Sequence, residues 1–103
     1  MTEIKSLQDL VVDFRDQRDW KKYHNPKDLC ISISIESAEL LELFQWKSAD
    51  NEVDFAELKD EMADILIYLL SLADVTDVDL GDALKKKIEK NREKYPADKS
   101  KGF

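Results

Sequence analysis

Two pairs of carboxylates carry the chemistry this chain could do. Glu36 and Glu39 stand three residues apart in ISISIESAELLELFQW, and Glu61 and Asp64 stand three apart in EMADILIYLLSLA. On a helix that spacing puts both members of a pair on one face. No Lys or Arg occurs between Ile31 and Trp46, nor between Glu61 and Ala73. A carboxylate inside an apolar segment costs free energy unless it is paired or bound to a metal. If the two helices pack together, four acids converge and their mutual repulsion calls for a cation. An all-oxygen donor set suits Mg²⁺ or Mn²⁺ rather than zinc, and Mg²⁺ held by carboxylates commonly serves a phosphate-bearing substrate. Asp64, Tyr68 and Ser71 extend the second pair as a polar line spaced i, i+4, i+7 on an otherwise apolar helix. Either acidic pair taken alone is more often a solvated face; the case rests on two pairs on adjacent helices, both flanked by apolar residues. Glu42, Glu57 and Asp60 read as surface charge.

The elements that must position these acids are helical. The chain has 103 residues with only two Gly and two Pro, which favours long, rarely interrupted helices over short strands. Ser6 to Tyr23 carries the stripe Leu7, Leu10, Val11, Phe14, with Ser6 and Asp9 resembling a capping box. Asn25-Pro26 is an N-cap and first-turn pair that opens a second helix reaching Trp46. Ile31, Ile33 and Ile35 alternate with Ser32 and Ser34 as a strand would, yet no turn signal occurs before Trp46, and a run of about twenty residues exceeds an ordinary strand. KSADNEVD is a polar loop. Asp54 to Ala73 forms a third helix, which the short connection makes antiparallel to the second. Asp77 or Asp79 caps a fourth helix through LGDALKKKIEKNREKY, and Pro96 ends it. The expected fold is all-α: residues 1–96 form one four-helix bundle-type subunit completed by oligomerisation, and 97–103 a flexible tail. A chain this short buries a modest core, so association with copies of itself is expected.

The formal net charge of -7 argues against a general binder of nucleic-acid polymers, which needs a basic surface. The longest apolar run, Ile65 to Leu70, is too short to span a bilayer. MTEIKSLQDL lacks an apolar signal segment, and the lone Cys30 can form no intrachain disulfide or cysteine zinc cluster, so a cytoplasmic location is expected. The single histidine, His24, lies outside any E-x-x-H motif, which removes ferritin-type di-iron chemistry. It reads as a surface loop residue. The sequence has no P-loop and no Ser-His-Asp set.

With both pairs placed, the chain resembles the MazG-like superfamily of all-α nucleoside triphosphate pyrophosphohydrolases, and within it the dCTP pyrophosphatase group. The family's E-x-x-E is Glu36-Ser37-Ala38-Glu39 here, and its E-x-x-D is Glu61-Met62-Ala63-Asp64. RDWKKYHNPKDL, ELLELFQWK, ADILIYLLSLA and KNREKYP extend the resemblance from about Phe14 to Pro96. Many members carry two adjacent acids at the start of the first motif; here Ile35 and Ser37 flank a single Glu36.

The resemblance implies hydrolysis of a (d)NTP between the α and β phosphates, giving monophosphate and pyrophosphate in housekeeping of the nucleotide pool. It implies Mg²⁺ held by Glu36, Glu39, Glu61 and Asp64, which form the catalytic site. It also implies a homodimer or homotetramer with sites near subunit interfaces. Trp20, Trp46 and Tyr68 would surround the nucleotide, and Lys87 and Asn91 would help to hold it. Without the resemblance, those aromatics read as core residues and KKKIEKNREK as a solvated basic face. Which carboxylate activates water stays open, Glu39 being one candidate. Two alternatives stand beside this reading. One is a non-catalytic helical oligomerisation or nucleotide-binding module, which leaves the line of Asp64, Tyr68 and Ser71 without a role. The other is the same chemistry on dUTP or modified nucleotides.

Overall fold

The computed structural model describes residues 3–48 and 52–100. Its helices are α1 (Ile4–Gln17), α2 (Pro26–Glu42), α3 (Phe55–Val75), α4 (Leu80–Lys94) and a short α5 (Ala97–Ser100), with a 3-10 turn at Lys21–Tyr23. No strand occurs among the described residues. The expected all-α fold is therefore observed. Helix α5 falls in the segment expected to be a tail, and residues 101–103 lie outside the described residues.

Three of the helix starts follow side-chain caps. Asn25 precedes Pro26, and its Oδ1 accepts from the Asp28 N–H at 2.9 Å. Asp54 accepts from the Ala56 and Glu57 N–H groups at 2.8 and 3.4 Å. Asp79, rather than Asp77, caps α4 through the Asp82 N–H at 3.0 Å. Each bond satisfies a donor that the first helical turn leaves free. Helix α1 starts two residues earlier than Ser6 and has no side-chain cap. Asp9 does not complete a capping box; it pairs with Lys5 at 3.1 Å, one turn back.

The ends are set by backbone geometry. Helix α1 stops at Gln17, short of the expected Tyr23, because Asp19 takes a left-handed φ of 54°. The Trp20 N–H then reaches back to the Arg15 carbonyl and the Asp19 N–H to that of Asp16, both at 3.1 Å. This is the Schellman pattern, which satisfies carbonyls at a helix end. Asp77, with φ 58°, repeats it for α3, and the Val78 N–H bonds the Ala73 carbonyl at 2.9 Å. Helix α2 ends at Glu42 instead of Trp46. The chain tightens there into i to i−3 bonds, from Leu43 to Leu40 and from Phe44 to Leu41, and Trp46 turns left-handed at φ 68°.

Helices α2 and α3 pack along each other, α1 lies on α3, and α4 makes its main contact with α1. Gln8 ties α1 to α3 by donating to the Leu70 carbonyl at 3.3 Å. Among the described residues the buried apolar ones are few: Leu29, Val53, Leu70 and Ala73. Leu10 and Phe14 of the α1 stripe, Ile31 and Ile35 of α2, Met62, Leu66 and Leu69 of α3, and Leu84 and Ile88 of α4 are exposed. The surface of 8365 Å² exceeds the roughly 6,000 Å² of a compact chain of this mass. The radius of gyration of 16.7 Å exceeds the roughly 13 Å expected of a compact domain. Much of each apolar stripe is thus uncovered by the chain itself. No helix among the described residues is long and apolar enough to cross a membrane.

Candidate metal centre

The packing of α2 on α3 brings Glu36, Glu39 and Glu61 together. One carboxylate oxygen from each lies within 4.8 Å of the others. Oε2 of Glu36 and Oε2 of Glu61 are both buried and have no hydrogen-bond partner among the described residues. An orphaned buried acceptor costs free energy, and two in one cluster cost more whenever both carboxylates are charged. The Glu36 carboxyl is pushed up to about 7, first by burial, then by the carboxyl groups of Glu39 and Glu61 close enough to share its proton, then by the charges of Glu39 and Asp64. These observations fit a divalent cation. The donors are all oxygen, they converge, and two of them lack any partner among the described residues. Asp64 contributes charge to Glu36 without joining the three converging oxygens.

The other expected site residues are distributed more widely. Tyr68 is half-buried on α3, and Trp20 is 44% exposed on the loop after α1. Trp46 is 92% exposed, so it touches little of its own chain. Lys87 is exposed and Asn91 half-buried on α4. No hydrogen bond or ion pair among the described residues links Trp20, Trp46, Lys87 or Asn91 to the three carboxylates. Ser71, the end of the polar line, is buried at 1% exposure and donates to the Ile67 carbonyl at 2.9 Å, so it is satisfied within its own helix.

A cluster that the acidic motifs did not reveal lies at the junction of α1 and α3. Arg15 is 3% exposed, and its NH1 donates to Asp74 Oδ2 at 2.7 Å while its Nε donates to Asp16 Oδ1 at 3.0 Å. Burial alone would lower the Arg15 pKa; the hydrogen bonds to Asp74 and Asp16 more than offset it and raise the value. His24 is half-buried with Nδ1 unpartnered, not fully on the surface as expected. Burial, then the Arg15 charge, lower its pKa. The signal for Arg15 was its register: it falls four residues after Val11, on the face that meets α3.

The Glu36 shift fixes a pH dependence. Its folded value of about 7 lies above the ordinary 4.5, so the folded chain holds this proton more tightly than the unfolded chain. The resulting stabilisation is complete below the lower value and is lost as pH rises through the higher one. Thermal unfolding in chelator should therefore show a lower Tm at about pH 8 than at about pH 5.5, and added Mg²⁺ should raise Tm more at the higher pH. A Glu36 contribution that increased with pH in chelator would contradict this, and Glu36→Gln isolates it.

The chain belongs to the MazG-like family, whose sequence profile matches residues 31–103 and so takes in both acidic pairs. It is 38% identical to mouse dCTP pyrophosphatase 1 over 107 aligned positions, covering 96% of this chain and 62% of that protein. The human dCTP pyrophosphatase 1 is also 38% identical, over 102 positions, with coverage of 91% and 59%. The chain thus spans about three fifths of the length of these curated relatives. A crystal structure of a pyrophosphatase from Archaeoglobus fulgidus superposes with a TM-score of 0.82 at 48% identity, covering 93% of this chain and 94% of that one.

Proposed function

We propose that this chain is a Mg²⁺-dependent nucleoside triphosphate pyrophosphohydrolase that converts a (d)NTP and water to (d)NMP and pyrophosphate. The substrates are dCTP-like and the role is housekeeping of the nucleotide pool. The observation that carries the reading is the convergence of Glu36, Glu39 and Glu61 with two buried, unpartnered oxygens. Similarity to dCTP pyrophosphatases and to the archaeal pyrophosphatase supplies the reaction class.

Glu36, Glu39 and Glu61 would hold the ion, and Asp64 would add a fourth carboxylate from the next turn of α3. When bound, Mg²⁺ would supply charge neutralisation at the phosphates and polarisation of the α-phosphorus. A carboxylate of the cluster, with Glu39 the candidate, orients a water and accepts its proton. The water oxygen bonds to the α-phosphorus, the bond from that phosphorus to the bridging oxygen breaks, and pyrophosphate leaves with the electron pair. Trp20, Trp46 and Tyr68 wall the base, and Lys87 and Asn91 contact phosphate or sugar. A panel of dNTPs and NTPs, with each product identified, tests this. dCTP should rank at or near the top. A preference for dUTP or a modified nucleotide would keep the chemistry and replace the substrate, whereas no turnover from folded protein with Mg²⁺ or Mn²⁺ would favour a non-catalytic binding module.

The active form is a homodimer or homotetramer. Its support is the row of exposed apolar side chains on each helix, together with a total surface roughly 2,400 Å² above that of a compact chain of this mass, which is of the size an obligate interface buries. The exposed Trp46 and the remote α4 accord with a site completed near that interface. Light scattering should return a multiple of 12.0 kDa. A stable folded monomer would contradict it. A cytoplasmic location accords with the single free Cys30.

A further inference from the structure

Three side chains at the end of α1 and in the loop after it, Phe14, Arg18 and Trp20, pack on one another and take no part in the carboxylate cluster. Trp20 is 44% exposed and Phe14 49% exposed, and their ring centroids lie 5.7 Å apart at an interplanar angle of 71°. The Arg18 guanidinium carbon sits 3.6 Å from the Phe14 centroid and 5.8 Å from that of Trp20. The Arg18 NH1 also donates to the Phe14 carbonyl at 3.0 Å. The backbone beneath is fixed independently: the Trp20 N–H bonds the Arg15 carbonyl at 3.1 Å, and Arg15 is itself buried and paired with Asp74. Contact between Trp20 and a residue in the last turn of the helix is the usual companion of a Schellman end. A guanidinium over both rings is not part of that motif.

We infer that Arg18 is a positioning residue: its guanidinium holds the Trp20 ring in one orientation, so that the indole meets the substrate's base pre-ordered. The inference rests on the nucleotide reading of Trp20 given above. Its physical content is preorganisation, because a ring already held loses less freedom when a base stacks on it. Cation–π contacts at exposed sites are of a strength that converts to about a two- to fivefold change in an equilibrium constant. Arg18 touches no reacting atom, so its effect belongs in KM rather than kcat.

The test compares the full-length chain with Arg18→Ala and Arg18→Lys in two readouts. Steady-state kinetics on dCTP with Mg²⁺ should show KM raised about two- to fivefold for Arg18→Ala with kcat little changed, and partial recovery for Arg18→Lys, which restores a cation over the ring. Trp20 emission, read in a Trp46→Phe background, should become more accessible to acrylamide in Arg18→Ala. Circular dichroism and Tm should stay near wild type, as for an exposed side chain. An unchanged KM, or a fall in kcat alone, overturns the inference. So does unchanged quenching. If the wild type turns over no nucleotide, the pyrophosphohydrolase reading fails by itself, and quenching alone then decides whether Arg18 holds the ring.

Discussion

Glu61→Gln should raise the Tm of the metal-free chain at about pH 8 while removing both its stabilisation by Mg²⁺ and its turnover. The two effects share one cause. Glu61 Oε2 is buried without a partner, beside Glu36 Oε2 in the same condition, and the three carboxylates crowd within 4.8 Å. With no cation bound, that arrangement is repulsive. Gln keeps the shape, removes one charge and offers an amide N–H to an orphaned neighbour. The gain is on the order of 0.5–2 kcal/mol, the range seen where a functional site has been kept at the expense of stability. Loss of a metal ligand acts in the opposite direction. Even outer-shell partners of a metal are worth about ten- to a hundredfold, so turnover should fall at least about a hundredfold. Thermal unfolding in chelator and in Mg²⁺, with kinetics on the same preparations, reads all three. A lower metal-free Tm together with an intact Mg²⁺ response would mean that Glu61 is structural.

Asp74→Ala should cost about 2–4 kcal/mol, whereas Asp16→Ala should cost well under 1 kcal/mol. Both partners touch Arg15, at 2.7 and 3.0 Å. The difference lies in surroundings. Arg15 has its side chain 4% exposed, Asp74 32% and Asp16 53%. Removing Asp74 strands a buried cation against the weaker, more solvated partner. Removing the cation is milder: in Arg15→Met the apolar stem is kept, and Asp74 can be hydrated. The expected order of damage is therefore Asp74→Ala, then Arg15→Met, then Asp16→Ala. For a chain of this size the first should lower Tm by about 10 °C or more. Denaturant titration of the three variants checks the order, and equal losses for the two aspartates would show that Arg15 is not effectively buried.

The starts of α2 and α4 were legible because caps are local: Asn25-Pro26 opens α2, and Asp79, one of the two aspartates expected to cap α4, does so by an acceptor that reaches a free N–H three residues on. The start of α1 was not legible, since it opens at Ile4 with no side-chain cap rather than at a Ser6 capping box. The ends were less legible. Asp19 and Asp77 stop α1 and α3 by taking left-handed backbone, a job usually given to Gly, and no residue type marks where α2 tightens after Glu42. The apolar stripes were legible as stripes, yet Leu10, Ile35 and Leu84 lie exposed in the single chain, since periodicity says which face wants cover and not which chain supplies it. At the carboxylate cluster, spacing was enough to group Glu36 with Glu39 and to set Glu61 opposite, while Asp64 stays outside the three converging oxygens. Arg15 was hidden inside FRDQRD, where composition suggests a solvated charged surface and only helical register reveals a buried one.

The proposed activity is cleavage between the α and β phosphates at the carboxylate cluster. The most direct test is a phosphorus NMR spectrum of the products from dCTP and Mg²⁺, taken for wild type, Glu39→Ala and Asp64→Ala. The account predicts dCMP and pyrophosphate from the wild type and neither from the two variants. Orthophosphate as the direct product, or undiminished pyrophosphate release by both variants, would contradict it.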